Sequence, residues 1–332
     1  MLRTRALFVF ALLAYWIVLN PLCSEEPSWN TGLDLFAEPL YWKAKQAGTE
    51  NWAQILDVNV PKGRIDILSV HFKWDWGFRA GIGYRIPHDF WDTQLSYTHF
   101  HTQGWDHARS DSLIASSFIG NFYFDNLAGF AFSGPQYHEA RINWNIDFDM
   151  FDWELGRTCF ATRALSLRPF IGLKGGRIDQ KIHSEWRYPN STLFSVATEN
   201  LKNNFRGMGP SAGVDTLWKL WRNDPSFFAL FGSASGALLW GKWVIKDVYK
   251  NNRPYTFPVN QHNPRAGSSM FRLFLGFEWN RSLHPRQAIV IARLGYEAQY
   301  WFNQLRFYSF NMGRLSSELT LQGLTGEIRF EF

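Results

Sequence analysis

The chain of 332 residues carries 34 Lys and Arg against 29 Asp and Glu, and 18% of it is aromatic while 19% is charged. The net charge of +5 comes without any Lys- or Arg-rich run, which excludes the basic stripe of a nucleic-acid-binding protein, so no nucleic-acid partner is expected. A chain rich in both aromatic and charged residues has to separate them by face, as the two-residue alternation of a β-strand does.

Residues 1–24, MLRTRALFVFALLAYWIVLNPLCS, predict a removable signal peptide, because a short basic segment precedes an apolar run that ends before Pro21. A membrane anchor is the competing interpretation, but the run is shorter than the ~20 apolar residues that a spanning helix needs. Cleavage is expected near Cys23, and a lipidated Cys23 is the alternative. After cleavage Cys159 is the remaining thiol, so no intramolecular disulfide is predicted.

The clearest strand pattern lies in residues 69–86, SVHFKWDWGFRAGIGYRI. Every second residue from Val70 to Ile86 is apolar, while the residues between them are charged, polar or glycine. A helix would mix these residues on one face, so the pattern predicts a strand. Its length exceeds the roughly five or six residues of a typical globular strand and suits a tilted strand that crosses a membrane.

The same alternation recurs in residues 271–280 and 287–303. In residues 138–160 the apolar positions change parity near Met150, which we interpret as a β-bulge. The bulge would keep four acidic residues on the polar side of the strand: Asp147, Asp149, Asp152 and Glu154.

Short and long connections alternate strictly between the predicted strands, which is typical of an outer-membrane barrel with tight periplasmic turns and longer extracellular loops. The predicted fold class is all-β, a transmembrane antiparallel up-and-down β-barrel of about ten strands occupying residues 25–332. Strands are predicted at 32–44, 67–86, 90–103, 138–160, 165–187, 204–221, 227–246, 269–281, 287–309 and 317–332. Long extracellular loops are predicted near 45–66, 104–136, 188–203 and 247–267. Residues 104–136 are apolar enough to hide a further hairpin, and twelve strands is the alternative.

One face of such a barrel meets hydrocarbon, and Trp and Tyr gather at its two interfaces. The candidates for this aromatic girdle are Trp74, Trp76, Tyr84, Trp91, Trp144, Trp153, Trp279, Tyr296 and Tyr300. The opposite face carries charges of both signs and predicts the lining of a water-filled lumen. The pore-lining candidates are Lys73, Asp75, Arg79, Arg85, Arg141, Asp147, Asp149, Asp152, Glu154, Arg168, Lys174, Arg272, Glu278, Arg293, Glu297, Glu327 and Arg329.

The chain ends in LTGEIRFEF, in which Ile328, Phe330 and Phe332 alternate with charged residues. This pattern predicts a last strand that closes the barrel against residues 32–44. The terminal Phe332 also resembles the signal by which barrel-assembly machinery recognises its substrates, so that machinery is an expected partner.

Residues 98–107, THFHTQGWDH, contain His99, His101, Asp106 and His107, and a His-Asp couple could activate water. Their spacing matches no catalytic motif, and His99 and His101 lack a clear third metal ligand. We therefore predict no catalytic residue, no metal site and no cofactor, and we expect the protein not to be an enzyme.

Three further stretches are GFRAGIGYRIPHDFWDTQLSYTHF (77–100), FDWELGRTCF (151–160) followed by LSLRPFIGLKGGRIDQK (165–181), and GYEAQYWFNQ (295–304). In this order they resemble the Legionella-type pore-forming outer-membrane protein family, which includes the major-outer-membrane-protein-like proteins of Legionella and chlamydia-related bacteria. The resemblance implies an abundant porin-like barrel in the bacterial outer membrane. It carries over no catalytic residue.

These observations predict a weakly selective diffusion pore for small hydrophilic solutes and ions, embedded in outer-membrane lipid. The alternative is a structural or adhesive surface barrel with a plugged lumen, whose loops bind a host or neighbouring surface ligand. Both interpretations use the same interior charges, because pairs of opposite sign can either line a water path or close it.

Overall fold

The computed structural model describes residues 32–57, 63–86, 90–116, 137–187, 196–223, 225–251, 256–260, 265–284, 288–309 and 313–332. The predicted signal peptide and residues 117–136 of the second predicted loop lie outside the described residues.

Ten long antiparallel strands form one closed ring, which confirms the predicted up-and-down barrel. Each strand pairs with its neighbours in the chain, and the last pairs with the first. In ring order they are β1 (Gly32–Gln46), β5 (Trp74–Arg85), β6 (Trp91–Ser116), β7 (Tyr137–Arg157), β9 (Leu165–Arg187), β10 (Val196–Asn223), β11 (Ser226–Asn251), β13 (Arg265–His284), β14 (Ala288–Ser309) and β15 (Gly313–Glu331).

In the described ranges, five short strands attach to this ring. They are β2 (Ala53–Asp57), β3 (Arg64–Leu68), β4 (His71–Phe72), β8 (Cys159–Phe160) and β12 (Thr256–Asn260). A 3-10 turn at Thr49–Asn51 precedes β2, and no helix in the described part of the chain is long and apolar enough to span a membrane. We call the end of the barrel that carries β2, β3 and β12 the loop end, and the end that carries both chain termini of the ring the turn end.

The last strand closes the barrel as the terminal alternation predicts. Ile328 pairs with Ala37 and Phe330 with Leu35, and the backbone N–H of Phe332 donates to the carbonyl of Leu33 at 3.0 Å. Closure removes both open sheet edges, which is the condition for a sheet to cross a membrane.

Several strands run further toward the loop end than predicted. β6 continues to Ser116, β10 already begins at Val196 and β11 continues to Asn251, so much of the predicted loops near 104–136, 188–203 and 247–267 is strand. The predicted strand 67–86 is instead interrupted twice, at residues 69–70 between β3 and β4 and at Lys73 between β4 and β5. The barrel wall therefore extends well beyond its apolar outer surface.

The parity change near Met150 is not a β-bulge, so that prediction is wrong. β7 keeps an unbroken register with both β6 and β9 through this point. Phe148 and Met150 are buried inside the barrel, whereas Phe151 and Trp153 are exposed on its outside. The strand itself is regular, and the apolar residues move from its inner to its outer face.

This exchange of faces occurs around the ring and divides the barrel into two zones. Toward the turn end, apolar side chains point outward and form what we call the lipid-facing band: Leu33, Leu35, Trp76, Phe78, Ile82, Leu95, Phe151, Trp153, Ile171, Leu173, Met208, Leu238, Trp240, Phe271, Leu273, Leu275, Phe277, Leu294, Tyr296, Leu324, Ile328 and Phe330. Toward the loop end, apolar side chains point inward and form what we call the loop-end core: Leu40, Trp42, Phe100, Trp144, Ile146, Phe148, Ile178, Ile182, Trp186, Leu201, Phe205, Trp243, Ile245, Tyr249, Trp301, Leu305, Leu319 and Leu321. The loop-end zone is thus built like a soluble β-protein, with its apolar residues inside and its polar residues in water.

Candidate functional site: the barrel interior

Inside the lipid-facing band, Glu297 of β14 joins two guanidinium groups. Its carboxylate accepts hydrogen bonds from Arg79 Nη2 at 2.9 Å and from Arg272 Nε at 2.8 Å. Arg79 also donates to Glu38, and the Glu297 side chain is completely shielded from solvent. Because water hardly reaches Arg79, Glu38 and Glu297, each of these charges depends on its partners for stabilisation.

A second group of ion pairs lies on β13, β14 and β15. Arg293 donates to Glu278 at 2.6 Å and to Glu327 at 2.8 Å, and Arg329 donates to Glu327 at 2.7 Å. Arg329 also lies 3.8 Å from Asp34 of β1. These contacts connect four consecutive strands of the ring across its inner face.

A third group centres on Arg168 of β9, which contacts carboxylates on three other strands. It donates to Asp92 of β6, to Glu154 of β7 at 3.1 Å and to Asp215 of β10 at 2.8 Å. Lys174 lies six residues after Arg168 on β9 and pairs with Asp152 of β7. The charged side chains inside the band therefore form ion pairs that link different strands of the barrel wall.

The structure separates the pore-lining candidates into two sets. Those that point into the barrel are Asp75, Arg79, Arg85, Asp152, Glu154, Arg168, Lys174, Arg272, Glu278, Arg293, Glu297, Glu327 and Arg329. The placement of Lys73, Arg141, Asp147 and Asp149 in a pore lining is wrong, because these four lie on the outer surface. All four belong to the loop-end zone or its border, where polar side chains face outward.

The aromatic girdle needs one correction of the same kind. Trp144 is completely buried in the loop-end core, where its indole N–H donates to Gln180 Oε1 at 3.1 Å. The remaining girdle candidates lie on the outer face of the barrel: Trp74, Trp76, Tyr84, Trp91, Trp153, Trp279, Tyr296 and Tyr300.

In the loop-end core, side chains from opposite walls of the barrel contact each other. Phe148 of β7 and Trp301 of β14 lie five places apart in the ring of ten strands, yet their ring centroids are 5.5 Å apart. Gln180 of β9 likewise reaches across to donate to Gln46 Oε1 of β1 at 3.2 Å. Side chains from facing walls therefore meet at the barrel axis, as expected for the small interior of a ten-stranded barrel.

A cavity of about 190 Å³ remains at the turn end. Its wall includes Arg85, Asp92, Arg168, Lys219 and Glu331, so it is lined by charges of both signs. It is large enough for several water molecules. The ion pairs of Arg168 and Arg293 are part of its wall, whereas those of Glu297 and then the loop-end core lie between the cavity and the other end of the barrel.

Two acidic residues are buried in the loop-end core beyond the lipid-facing band. Glu199 of β10 and Asp247 of β11 are 1% and 2% exposed, and the Glu199 side chain hydrogen-bonds to that of Asp247. Burial raises the pKa of Asp247 from 3.8 to about 6, although the bond from Glu199 and the N–H of Val248 lower it in part.

We expect Asp247→Asn to stabilise the barrel at pH 8 by about 3 kcal/mol, the linkage value for a shift of roughly two pKa units. The unfolded carboxyl ionises at lower pH than the folded one, so wild-type stability falls as the pH rises from about 4 to 6 and stays low above it. The check is urea unfolding in detergent micelles at pH 5 and pH 8, with the exposed Asp66→Asn as control. Equal pH dependence in wild type and Asp247→Asn would contradict it.

The outer face of β6 and β7 carries three histidine–carboxylate contacts. The pairs are His99 with Asp149 at 2.8 Å, His101 with Asp147 at 2.6 Å and His107 with Glu139 at 3.3 Å. They form a polar ladder on the outside of the loop-end zone. Within the described ranges no three His, Cys, Asp or Glu residues are placed to hold a metal ion.

Sequence reasoning missed the loop-end core because it assigned one polar and one apolar face to each whole strand. The parity change at residues 138–160 was the available signal. Read as an exchange of faces, it places Trp144 and Phe148 inside and Asp147 outside, as the structure does.

Comparison with known proteins supports an assignment to one family. The sequence model of a family described as Legionella pneumophila major outer membrane protein precursor matches residues 25–332. A comparison with curated protein sequences finds no match.

Two solved structures show a similar course of the chain at low sequence identity. The outer membrane protease OmpT from Escherichia coli aligns at 10% identity over 92% of this chain and 98% of its own, with a TM-score of 0.38. A Pseudomonas aeruginosa FadL homologue aligns at 12% identity over 91% of this chain and 90% of its own, with a TM-score of 0.30. Likenesses this distant carry no argument about activity.

Proposed function

The chain belongs to the family of the Legionella pneumophila major outer membrane protein precursor, and on this premise we propose that it is a closed, non-enzymatic surface barrel. It is a multi-pass β-barrel of the bacterial outer membrane. In the proposed role the lumen does not conduct, and the barrel anchors and presents its loop end at the cell surface, where the loops contact a host or neighbouring surface ligand.

The contact between Phe148 and Trp301 across the barrel axis is the observation that carries this proposal. An open pore needs a continuous polar path, but the loop-end core places apolar side chains from facing walls against each other. Water does not fill so tightly packed an apolar region, so small hydrophilic solutes have no path through it.

A gated, weakly selective pore is the second candidate, and the charged cavity at the turn end favours it. Such a cavity could serve as a periplasmic vestibule for small solutes and ions. Conduction would then require Phe148 and Trp301 to separate, with the ion pairs below them rearranged. Because those pairs carry both signs, such a pore would discriminate weakly between cations and anions.

The proposal also includes an orientation of the barrel in the membrane and a signal for its assembly. The loop end faces the outside and the turn end faces the periplasm, as the lengths of the connections favour. The side chain of Phe332 is exposed, next to the backbone contact with Leu33 that closes the barrel. In this proposal barrel-assembly machinery binds Phe332 during insertion.

Solute uptake by lipid vesicles tests the proposal. Vesicles that contain the refolded protein are expected not to swell in an isosmotic solution of arabinose, because the sugar cannot enter. Parallel vesicles with a general porin report a working assay, and the shift of unboiled protein on a denaturing gel reports correct folding. Swelling by the folded protein at a rate close to that of the porin would overturn the closed barrel and favour the pore.

A further inference from the structure

Four basic residues form a row across four neighbouring strands on the outer surface. Arg177 of β9 pairs in register with Arg206 of β10, which pairs with Lys242 of β11, which pairs with Arg265 of β13. We call these four residues the basic row. Neighbouring strands lie about 4.8 Å apart, so the row spans roughly 14 Å.

A second tier of cations lies four residues closer to the loop end. Lys202 of β10 pairs in register with Lys181 of β9 on one side and with Lys246 of β11 on the other. Like charges directly opposite each other on one face of a sheet destabilise it. Negative groups close to these seven cations would therefore stabilise this part of the sheet.

Among the described residues, carboxylates that balance these cations lie only near β9. Arg177 Nε lies 2.8 Å from Asp149 Oδ2, and Asp179 interacts electrostatically with Arg177 and Arg206. Outward-facing positions near the row on β10, β11 and β13 hold Asn204, Val244 and Ser269, and the described parts of these strands place no carboxylate there. Glu199 and Asp247 point into the loop-end core instead.

The basic row lies directly at the edge of the lipid-facing band. On the turn-end side of the row, Met208 follows Arg206 by two positions along β10 and is 64% exposed. Trp240 precedes Lys242 by two positions along β11 and is 65% exposed. Two residues of a strand cover about 7 Å. The cations thus lie where acyl chains give way to headgroups.

We propose that the basic row binds the phosphate groups of a phosphorylated glycolipid in the outer leaflet. The proposal rests on the proposed orientation, in which the loop end faces outward. The guanidinium of Arg206 and that of Arg265 can each hold two phosphate oxygens, and the flexible ammonium of Lys242 lies between them. Met208 and Trp240 pack against the acyl chains of the same lipid, so that charge and apolar surface select one amphiphile.

Native mass spectrometry of the full chain in detergent tests the site. The probes are diphosphoryl lipid A, the same lipid without its phosphates, and diphosphoryl lipid A with excess inorganic phosphate. We expect the diphosphoryl lipid to bind about tenfold more tightly than the dephosphorylated one, and inorganic phosphate not to displace it. Equal binding of both lipids would overturn the proposal, and displacement by inorganic phosphate would reduce the site to one for free phosphate and overturn it as well.

A triple variant, R206Q/K242Q/R265Q, is expected to lose about tenfold in affinity for diphosphoryl lipid A. The matched control K45Q/R64Q/R109Q removes the same charge from exposed cations elsewhere and is expected to bind like wild type. Unchanged binding by the first variant, or an equal loss in both, would overturn the site.

The same variants also separate this site from the proposed function. None of the substituted residues lines the barrel interior, so vesicle swelling reports the closed lumen independently of lipid binding. If lipid A binding does not depend on its phosphates or on the basic row while the vesicles stay impermeable, only the lipid site is contradicted. If the vesicles swell while lipid A binding depends on the basic row as expected, only the closed lumen is contradicted.

Discussion

Replacing Glu297 by alanine is expected to destabilise the folded barrel by about 3–5 kcal/mol, the usual consequence of leaving buried charges without their partner. Glu297 is fully shielded and holds Arg79 at 2.9 Å and Arg272 at 2.8 Å. Without it, Glu38 is the one carboxylate among the described residues still bonded to Arg79, and Arg272 loses the carboxylate that accepts its two hydrogen bonds. Urea unfolding in detergent micelles measures the loss.

Glu50→Ala is the matched control for this prediction. Glu50 pairs with Lys45 at 2.7 Å, but both side chains are more than 60% exposed. Exposed pairs contribute about 0–1 kcal/mol, so this variant should unfold almost as wild type does. A similar small change in Glu297→Ala would mean that water reaches the charges inside the band, and it would contradict the enclosed interior.

Replacing Trp301 by alanine is expected to cost a similar ~3–5 kcal/mol, since it removes the largest kind of side chain from a packed core. Trp301 is fully buried, contacts Phe148 from the opposite wall and donates its indole N–H to Gln299 Oε1 at 3.1 Å. Its loss leaves a cavity at the centre of the loop-end core. The midpoint of urea unfolding and the temperature at which the folded band disappears from a denaturing gel both report the effect.

The adjacent residue provides the control. Tyr300 lies on the same strand but points outward and is 39% exposed. Tyr300→Ala should therefore cost much less than Trp301→Ala, because no packed core surrounds the lost ring. Equal losses for the two variants would show that the loop-end core does not hold the two walls together.

The fold was predictable because its determinants are local. Alternation at residues 74–86 and 324–332 depends only on neighbouring residues, and the lengths of the connections give the order of strands. The predicted ends of the strands were less accurate than their order. β6 and β10 continue into segments that looked like loops, because their outer faces there are as polar as a loop would be.

The interior was less predictable because its contacts are not local. A parity change such as that at Met150 fits either a bulge or an exchange of faces, and only the register with β6 and β9 decides between them. Arg141, Asp147 and Asp149 were misplaced for this reason. Lys73 was misplaced because the chain changes faces at the interruption between β4 and β5, where the sequence alternates without a break. The meeting of Phe148 with Trp301 also depends on the diameter of the closed ring, which no single strand encodes.

Current recording across a planar bilayer tests the closed lumen most directly. Refolded wild-type protein, shown to be folded by its gel shift and delivered by fusing the vesicles that contain it with the bilayer, is expected to leave the bilayer current at its baseline. Stepwise current increases that scale with the amount of inserted wild-type protein would contradict the closed barrel.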